Sequence, residues 1–72
     1  MRWEDRVGEN IRRLRRAKGL SQEALAHESG MAMRYLAGIE RGEENPSLAF
    51  LVRIATALGV TPGDLFEDRT LP

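Results

Sequence analysis

A single glycine, Gly30, divides residues 21–42 into two short segments, each with apolar side chains at helical spacing. Glycine adopts the left-handed conformation that ends a helix at little cost, so the chain is expected to turn there. Ser21 precedes the first segment and is a good N-cap, because its hydroxyl can accept a hydrogen bond from a free backbone N–H of the first helical turn. This pattern predicts two short helices packed around a tight turn, which is a helix-turn-helix arrangement.

Three further helices are predicted around this pair. The first carries an apolar stripe formed by Trp3, Val7, Ile11 and Leu14. The fourth carries an apolar stripe formed by Leu48, Leu51, Ile54, Ala55 and Leu58. Thr61 followed by Pro62 is typical of the cap and first position of a short fifth helix. Because no strand pattern or internal repeat is present, residues 1–72 are predicted to form a single all-α domain of five helices, with a loose tail over residues 67–72.

Composition limits the classes of function. The sequence has no cysteine and one histidine, which excludes a disulfide framework and a metal site built from thiolates or several histidines. It also lacks a phosphate-binding loop and an activated nucleophile, so we expect neither an enzyme nor a bound cofactor, and no small-molecule ligand. No segment approaches the roughly 18 apolar residues of a membrane span, and the N-terminus lacks the apolar stretch of a signal peptide. We therefore expect a cytoplasmic protein that is not attached to a membrane.

A net charge of zero hides an asymmetric distribution along the chain. Residues 1–18 hold seven basic and three acidic side chains, whereas residues 19–72 hold four basic and eight acidic ones. Most of the first helix's arginines are expected to form a solvated face. Arg15 differs from them, since it lies at the border of the apolar stripe.

Several blocks of residues occur in a fixed order along the chain: Ile11-Arg12-Arg13-Leu14-Arg15, Leu20-Ser21-Gln22-Glu23, Leu25-Ala26, Gly30, Ile39-Glu40-Arg41-Gly42, Asn45-Pro46-Ser47-Leu48 and Ala57-Leu58-Gly59-Val60. In this order they resemble the Cro and phage-repressor type (Xre-like) of helix-turn-helix transcriptional regulators over residues 7–66. The resemblance implies a five-helix, lambda-repressor-like DNA-binding domain whose helix-turn-helix spans residues 22–41. It also implies a homodimer on double-stranded DNA, bound to two half-sites roughly 34 Å apart. The short chain is also similar to restriction–modification controller proteins.

The resemblance further implies a partner for Arg15. In similar regulators an arginine at this place in the first helix pairs with the glutamate at the end of the third, here Glu40. The helical wheel agrees, because both residues lie at the borders of apolar stripes. The alternative is two unrelated surface charges.

One face of the predicted third helix points away from the core. It comprises Met33, Arg34, Ala37, Gly38 and Arg41. In the family this face contacts base edges, and Arg34 points most directly outward, where its guanidinium can donate two parallel hydrogen bonds to guanine. Met33 and Ala37 can press on a thymine methyl group, although Met33 can instead pack onto Gln22. Gly38 is expected to permit close approach of DNA, or else is merely tolerated.

Four residues are expected to contact DNA phosphates: Ser21, Gln22, Tyr35 and Arg41. The first two stand where the second helix presents free backbone N–H groups, and Arg41 lies beyond the third helix on the same side. Tyr35 lies on the flank, where packing at the edge of the core is the alternative. Glu43 and Glu44 add two negative charges to a loop that in relatives often touches phosphates.

The apolar residues near the C-terminus are expected to form a dimer interface: Leu65, Phe66 and Leu71. Alternatively, they close the core of the monomer. The leading hypothesis of function is a dimeric, sequence-specific DNA-binding transcriptional regulator. A second hypothesis is a protein-interaction module, such as an antitoxin-like or bridging helix-turn-helix, which the zero net charge and the acidic pair at residues 43–44 favour mildly.

Overall fold

The computed structural model describes residues 2–68. They form helices α1 (Trp3–Ala17), α2 (Gln22–Ser29), α3 (Met33–Glu40) and α4 (Leu48–Leu58), followed by a 3₁₀ helix (Pro62–Phe66). The all-α class is confirmed, with no strand in the part of the chain that is described. The predicted fifth helix is a 3₁₀ helix of five residues, so the described chain has four α-helices rather than five.

The helices begin and end where their capping residues allow. The Ser21 hydroxyl accepts a hydrogen bond from the backbone N–H of Ala24 at 3.0 Å, and Ser47 accepts one from Phe50 at 3.3 Å. Gly30 follows α2 with φ of 70°, the left-handed conformation expected for it. Local chemistry therefore fixes both ends of α2, and Gly30 fixes the turn that leads to α3.

All five helices contribute to one apolar core. Its buried members are Val7, Ile11, Leu25, Ala26, Leu36, Ile39, Leu51, Ile54, Ala55, Leu58 and Leu65. Two residues that periodicity assigned to the apolar stripes lie outside it, because Trp3 is 59% exposed and Leu48 is 69% exposed. Each is the first residue of its helix, and helical side chains lean toward the N-terminus, so these two extend beyond the packing partner.

The residues predicted to form a dimer interface differ in their exposure. Leu65 is fully buried, which contradicts its assignment to an interface and agrees with the alternative that it closes the monomer core. Its inward orientation follows from the 3₁₀ helix, which packs against both α1 and α4. Phe66 is 39% exposed, and its ring centroid lies 6.0 Å from that of Trp3. Leu71 lies outside the described residues.

Helices α1 and α3 cross in close contact at Gly8. A Cβ atom added there would lie 2.6 Å from the carbonyl oxygen of Glu40, closer than real Cβ atoms come to any neighbour. Glycine therefore permits a backbone approach that any other residue would prevent. This crossing brings the end of α3 next to the arginines of α1.

A buried polar residue joins the 3₁₀ helix to α1. Asn10 is 4% exposed, and its Nδ2 donates to the carbonyl oxygens of Leu65 and Glu67, both at 2.8 Å. Sequence reasoning did not single out this residue, because an asparagine in a helix carries no signal that distinguishes a solvated side chain from a buried one. Its two bonds satisfy backbone carbonyls at the end of the described chain.

Replacing Asn10 by alanine is expected to lower the free energy of unfolding by about 1 to 3 kcal/mol, because two carbonyls lose their donor. Urea denaturation followed by circular dichroism measures the change. The matched control is Glu9→Ala at the exposed neighbouring position, which should stay within about 0.5 kcal/mol of the wild type. An Asn10→Ala protein as stable as this control would contradict the role given to Asn10.

Candidate nucleic-acid interface

A buried carboxylate lies where α1, α2 and α3 meet. The Glu40 side chain is completely buried, and Arg15 reaches it with two parallel bonds, from Nε to Oε2 at 2.7 Å and from Nη2 to Oε1 at 3.1 Å. The amide of Gln22 donates to Oε1 at 3.0 Å, and Arg12 Nε lies 3.8 Å from the same oxygen. Arg15 also donates from Nη1 to the carbonyl of Leu20 at 2.9 Å. The structure thus contains the ion pair expected between Arg15 and Glu40.

This network determines how the two helices of the turn are held. Glu40 is the last residue of α3, Gln22 is the first residue of α2, and Arg15 belongs to α1. A charge-assisted, bidentate pair has a narrow preferred geometry. The three helices are therefore held together at one point, with the outer face of α3 turned away from it.

The outer face of α3 is accessible at three of the predicted base-contacting residues. Met33 is 49% exposed, Arg34 is exposed, and Ala37 is half-buried. Within residues 2–68 the Arg34 guanidinium has no hydrogen bond or ion pair to another side chain. Its five donors are therefore available to a ligand.

Gly38 departs from the prediction for this face. It is buried, and an added Cβ would lie 2.9 Å from Cγ of Glu44 and 3.3 Å from Oε2 of that residue. The expectation that Gly38 meets a base edge is contradicted, because the Glu44 side chain covers it. The absence of a side chain at residue 38 instead leaves room for Glu44 beside α3.

The four residues predicted to contact phosphates differ in their exposure and in their contacts within the protein. Ser21 caps α2, and the Gln22 amide nitrogen is bound to the buried carboxylate described above. Tyr35 is half-buried, with its ring centroid 5.4 Å from that of Phe50, so it packs at the edge of the core. Arg41 is exposed.

The exposed Arg41 is paired with Glu43. Its Nη2 lies 3.0 Å from Oε1 of Glu43. The hydrogen bond, followed by the charge of Arg41, lowers the pKa of the Glu43 carboxyl, and the same bond raises the pKa of Arg41. Glu43 is therefore charged at neutral pH.

An open cleft of about 600 Å³ adjoins the start of α2, and it is lined by two arginines, Arg12 and Arg16, that the helical wheel places in solvent. Its lining comprises Arg12, Arg15, Arg16, Ser21, Gln22, Glu23 and Met33. Arg12 and Arg16 are exposed, and their spacing of four residues places them on one side of α1. Two arginines four residues apart on α1, next in sequence to the predicted N-terminus of α2, are the signal from which this cluster could have been predicted.

Two further features, a metal-binding cluster and a membrane-spanning helix, are absent from the described residues. Residues 2–68 contain no group of three acidic, histidine or cysteine side chains arranged to hold a metal ion. Among the described helices, none is long and apolar enough to cross a membrane.

The described chain has two short helices packed around a glycine turn, and the outer face of the second is exposed beside a helix N-terminus and a group of arginines. These features define the class of helix-turn-helix domains in which the second helix of the pair enters the DNA major groove. The sequence model of the HTH_3 helix-turn-helix family matches residues 11–65 of the chain, which therefore belongs to that family.

Three relatives show the extent of the similarity. Control protein C.BamHI from Bacillus amyloliquefaciens is 42% identical over 65 residues, covering 89% of this chain and 80% of that protein. The crystal structure of the restriction-modification controller protein C.AhdI from Aeromonas hydrophila has a TM-score of 0.86 at 48% identity and covers 88% of this chain and 96% of that one. SinR of Bacillus subtilis is 36% identical over 64 residues, covering 88% of this chain and 58% of that protein. A structure of SinR in complex with DNA has a TM-score of 0.81 at 37% identity, with 85% of this chain and 98% of that chain covered.

Replacing Arg15 by alanine is expected to destabilise the fold by about 3 to 5 kcal/mol, because it leaves the Glu40 carboxylate buried without its bidentate partner. Urea denaturation measures the loss, and Arg16→Ala, which removes an exposed arginine one residue away, should shift stability by no more than about 0.5 kcal/mol.

If Arg15→Ala leaves too little folded protein to measure, the double variant Arg15→Met with Glu40→Leu keeps the test decisive. Replacing both charges by apolar side chains of similar volume should recover most of the lost stability. A single variant as stable as Arg16→Ala would show that the pair does not hold the helices together.

Proposed function

We propose that this protein is a transcriptional regulator that binds a specific sequence of double-stranded DNA as a homodimer. The observation that carries the proposal is the exposed, unpaired guanidinium of Arg34 on the outer face of α3. The buried pair of Arg15 and Glu40 holds that face outward. A regulator of this kind acts in the cytoplasm, where DNA is accessible, and performs no catalytic step.

The dimensions and chemistry of α3 suit a major groove. B-DNA has a major groove about 12 Å wide, which admits one α-helix. In that position Arg34 can donate two bonds to O6 and N7 of a guanine, a contact that discriminates against other bases. Met33 and Ala37 offer apolar contact to a thymine methyl group. A single polar side chain per protomer can distinguish few base pairs by direct contact. The rest of the specificity would therefore come from the sequence-dependent shape and bending of DNA.

The DNA backbone would pass over the start of α2. Backbone N–H groups at a helix N-terminus attract phosphate, and Ser21 and Gln22 occupy that position. Arg12 and Arg16 extend the cationic surface along α1, on the cleft side of the same helix end. Arg41 supplies a further cation beyond α3, and Tyr35 can reach a phosphate only through its hydroxyl, since its ring packs against Phe50. These contacts position the protein without selecting a sequence.

An exposed apolar patch supports the homodimer. Trp3 and Phe66 lie side by side and border a cleft of about 140 Å³ whose lining includes Pro46 and Leu51. Contiguous exposed apolar patches are typical of interaction surfaces. In a dimer formed through this patch, binding to both half-sites requires that the two α3 helices lie about one helical turn of the duplex apart.

The similarity to C.AhdI and C.BamHI extends over most of each protein. This supports a regulator of the restriction–modification controller type, in which the helix-turn-helix domain makes up most of the chain.

Replacing Arg34 by alanine is expected to remove about 1 to 3 kcal/mol of discrimination at one base pair in each half-site, while binding to other positions is unaffected. Competition binding against operator duplexes with single base-pair replacements measures this. Arg53→Ala is the matched control, because Arg53 is an exposed arginine of α4 whose guanidinium lies 5.2 Å from the Phe50 ring centroid. Unchanged base preference in Arg34→Ala would assign readout to other residues.

Replacing Phe66 by glutamate is expected to convert the dimer to a monomer, because a carboxylate is costly in a buried apolar contact. Sedimentation velocity at micromolar concentration distinguishes the two states. Val52→Glu, at a position of α4 with 42% exposure, introduces the same charge elsewhere and should leave the dimer intact. Dissociation by Val52→Glu alone would place the interface on α4.

A further inference from the structure

Two carboxylates follow α3 and border the face proposed to contact DNA. Glu43 is paired with Arg41, and both side chains are largely exposed, at 60% and 51% respectively. The Glu44 side chain lies against α3 at Gly38. Two carboxylates at this end of α3 therefore carry the charge opposite to the one that a phosphate-binding surface requires.

In the free protein the Arg41 guanidinium is already paired with the Glu43 carboxylate. A DNA phosphate that approaches this residue has to take the place of the Glu43 carboxylate, and the displaced carboxylate then remains near the negative duplex. Because the pair is exposed and weak, such an exchange is possible, but it reduces what the phosphate contact contributes. A glutamate is charged at neutral pH at its ordinary pKa, and the hydrogen bond and charge of Arg41 lower the pKa of Glu43 further.

We propose that Glu43 competes with DNA phosphates for Arg41 and thereby lowers the affinity of this protein for any duplex. The inference rests on the proposed function, because it presupposes that the outer face of α3 meets DNA. Phosphates carry no sequence information, so the competition acts on operator and random DNA alike. Base preference remains with Arg34.

The test compares Glu43→Gln with Glu28→Gln, using a synthetic random-sequence duplex over a range of salt concentrations. Each variant removes one negative charge. Glu28 serves as the control because it lies away from Arg41, at the cleft between the end of α2 and α4. Glu43→Gln should bind up to about fivefold more tightly at low salt, the upper range for an exposed pair. Its plot of log Kd against log salt should steepen by roughly 0.9 per protomer, because one more phosphate is neutralised. Glu28→Gln should match the wild type within about twofold.

The same comparison in an Arg41→Ala background identifies the route. Competition for Arg41 predicts that the effect of Glu43→Gln disappears there, since no cation is left to release. An effect that persists without Arg41 would overturn the proposal in favour of simple charge repulsion. If Glu43→Gln behaves as Glu28→Gln does while the wild type binds DNA, the proposal fails and the regulator function stands. If the wild type binds no duplex at low salt, both fail together.

Discussion

The buried pair of Arg15 and Glu40 is the interaction on which the rest of the structure depends. A carboxylate with no exposure to water is strongly unfavourable unless it is compensated, and here Arg15 and Gln22 supply three hydrogen bonds to its two oxygens. These bonds come from α1 and α2, whereas the carboxylate belongs to α3. The close crossing at Gly8 places the backbone of α3 against α1 in the arrangement that the pair requires. The orientation of α3 is thus coupled to the stability of the fold.

Charged side chains are distributed unevenly around this point. Arg12 and Arg16 line the cleft beside the N-terminus of α2. A second open cleft is lined by Asp5, Glu9, Glu40 and Glu43 together with Arg12 and Arg41. The net charge of zero therefore combines an arginine-rich cleft at the start of α2 with a cleft in which carboxylates outnumber arginines.

Much of this fold could be predicted from local chemistry, and the failures have physical causes. Capping residues such as Ser21 and Gly30 act through their own backbone neighbours, so their roles are visible in the sequence. Trp3 and Leu48 match the period of a core stripe, but periodicity does not reveal where the partner helix ends. Leu65 was assigned to an interface because its covering residues are distant in the chain.

The site was predictable to a similar degree. The exposure of Met33 and Arg34 follows from the position of each residue on α3, which a helical wheel provides. The covering of Gly38 by Glu44 depends on the path of a loop, and the buried role of Asn10 depends on the 3₁₀ helix returning to α1. Neither has a local signature. The pairing of Arg15 with Glu40 was expected from family resemblance, and their border positions on two helices were consistent with it.

Selection of bound duplexes from random-sequence DNA by the wild-type protein tests most directly whether the outer face of α3 reads a DNA sequence. The expected result is enrichment of two-fold symmetric sites, with a guanine at a constant place in each half-site and the half-sites roughly 34 Å apart. Recovery of sequences indistinguishable from the starting pool would contradict a role in sequence-specific binding.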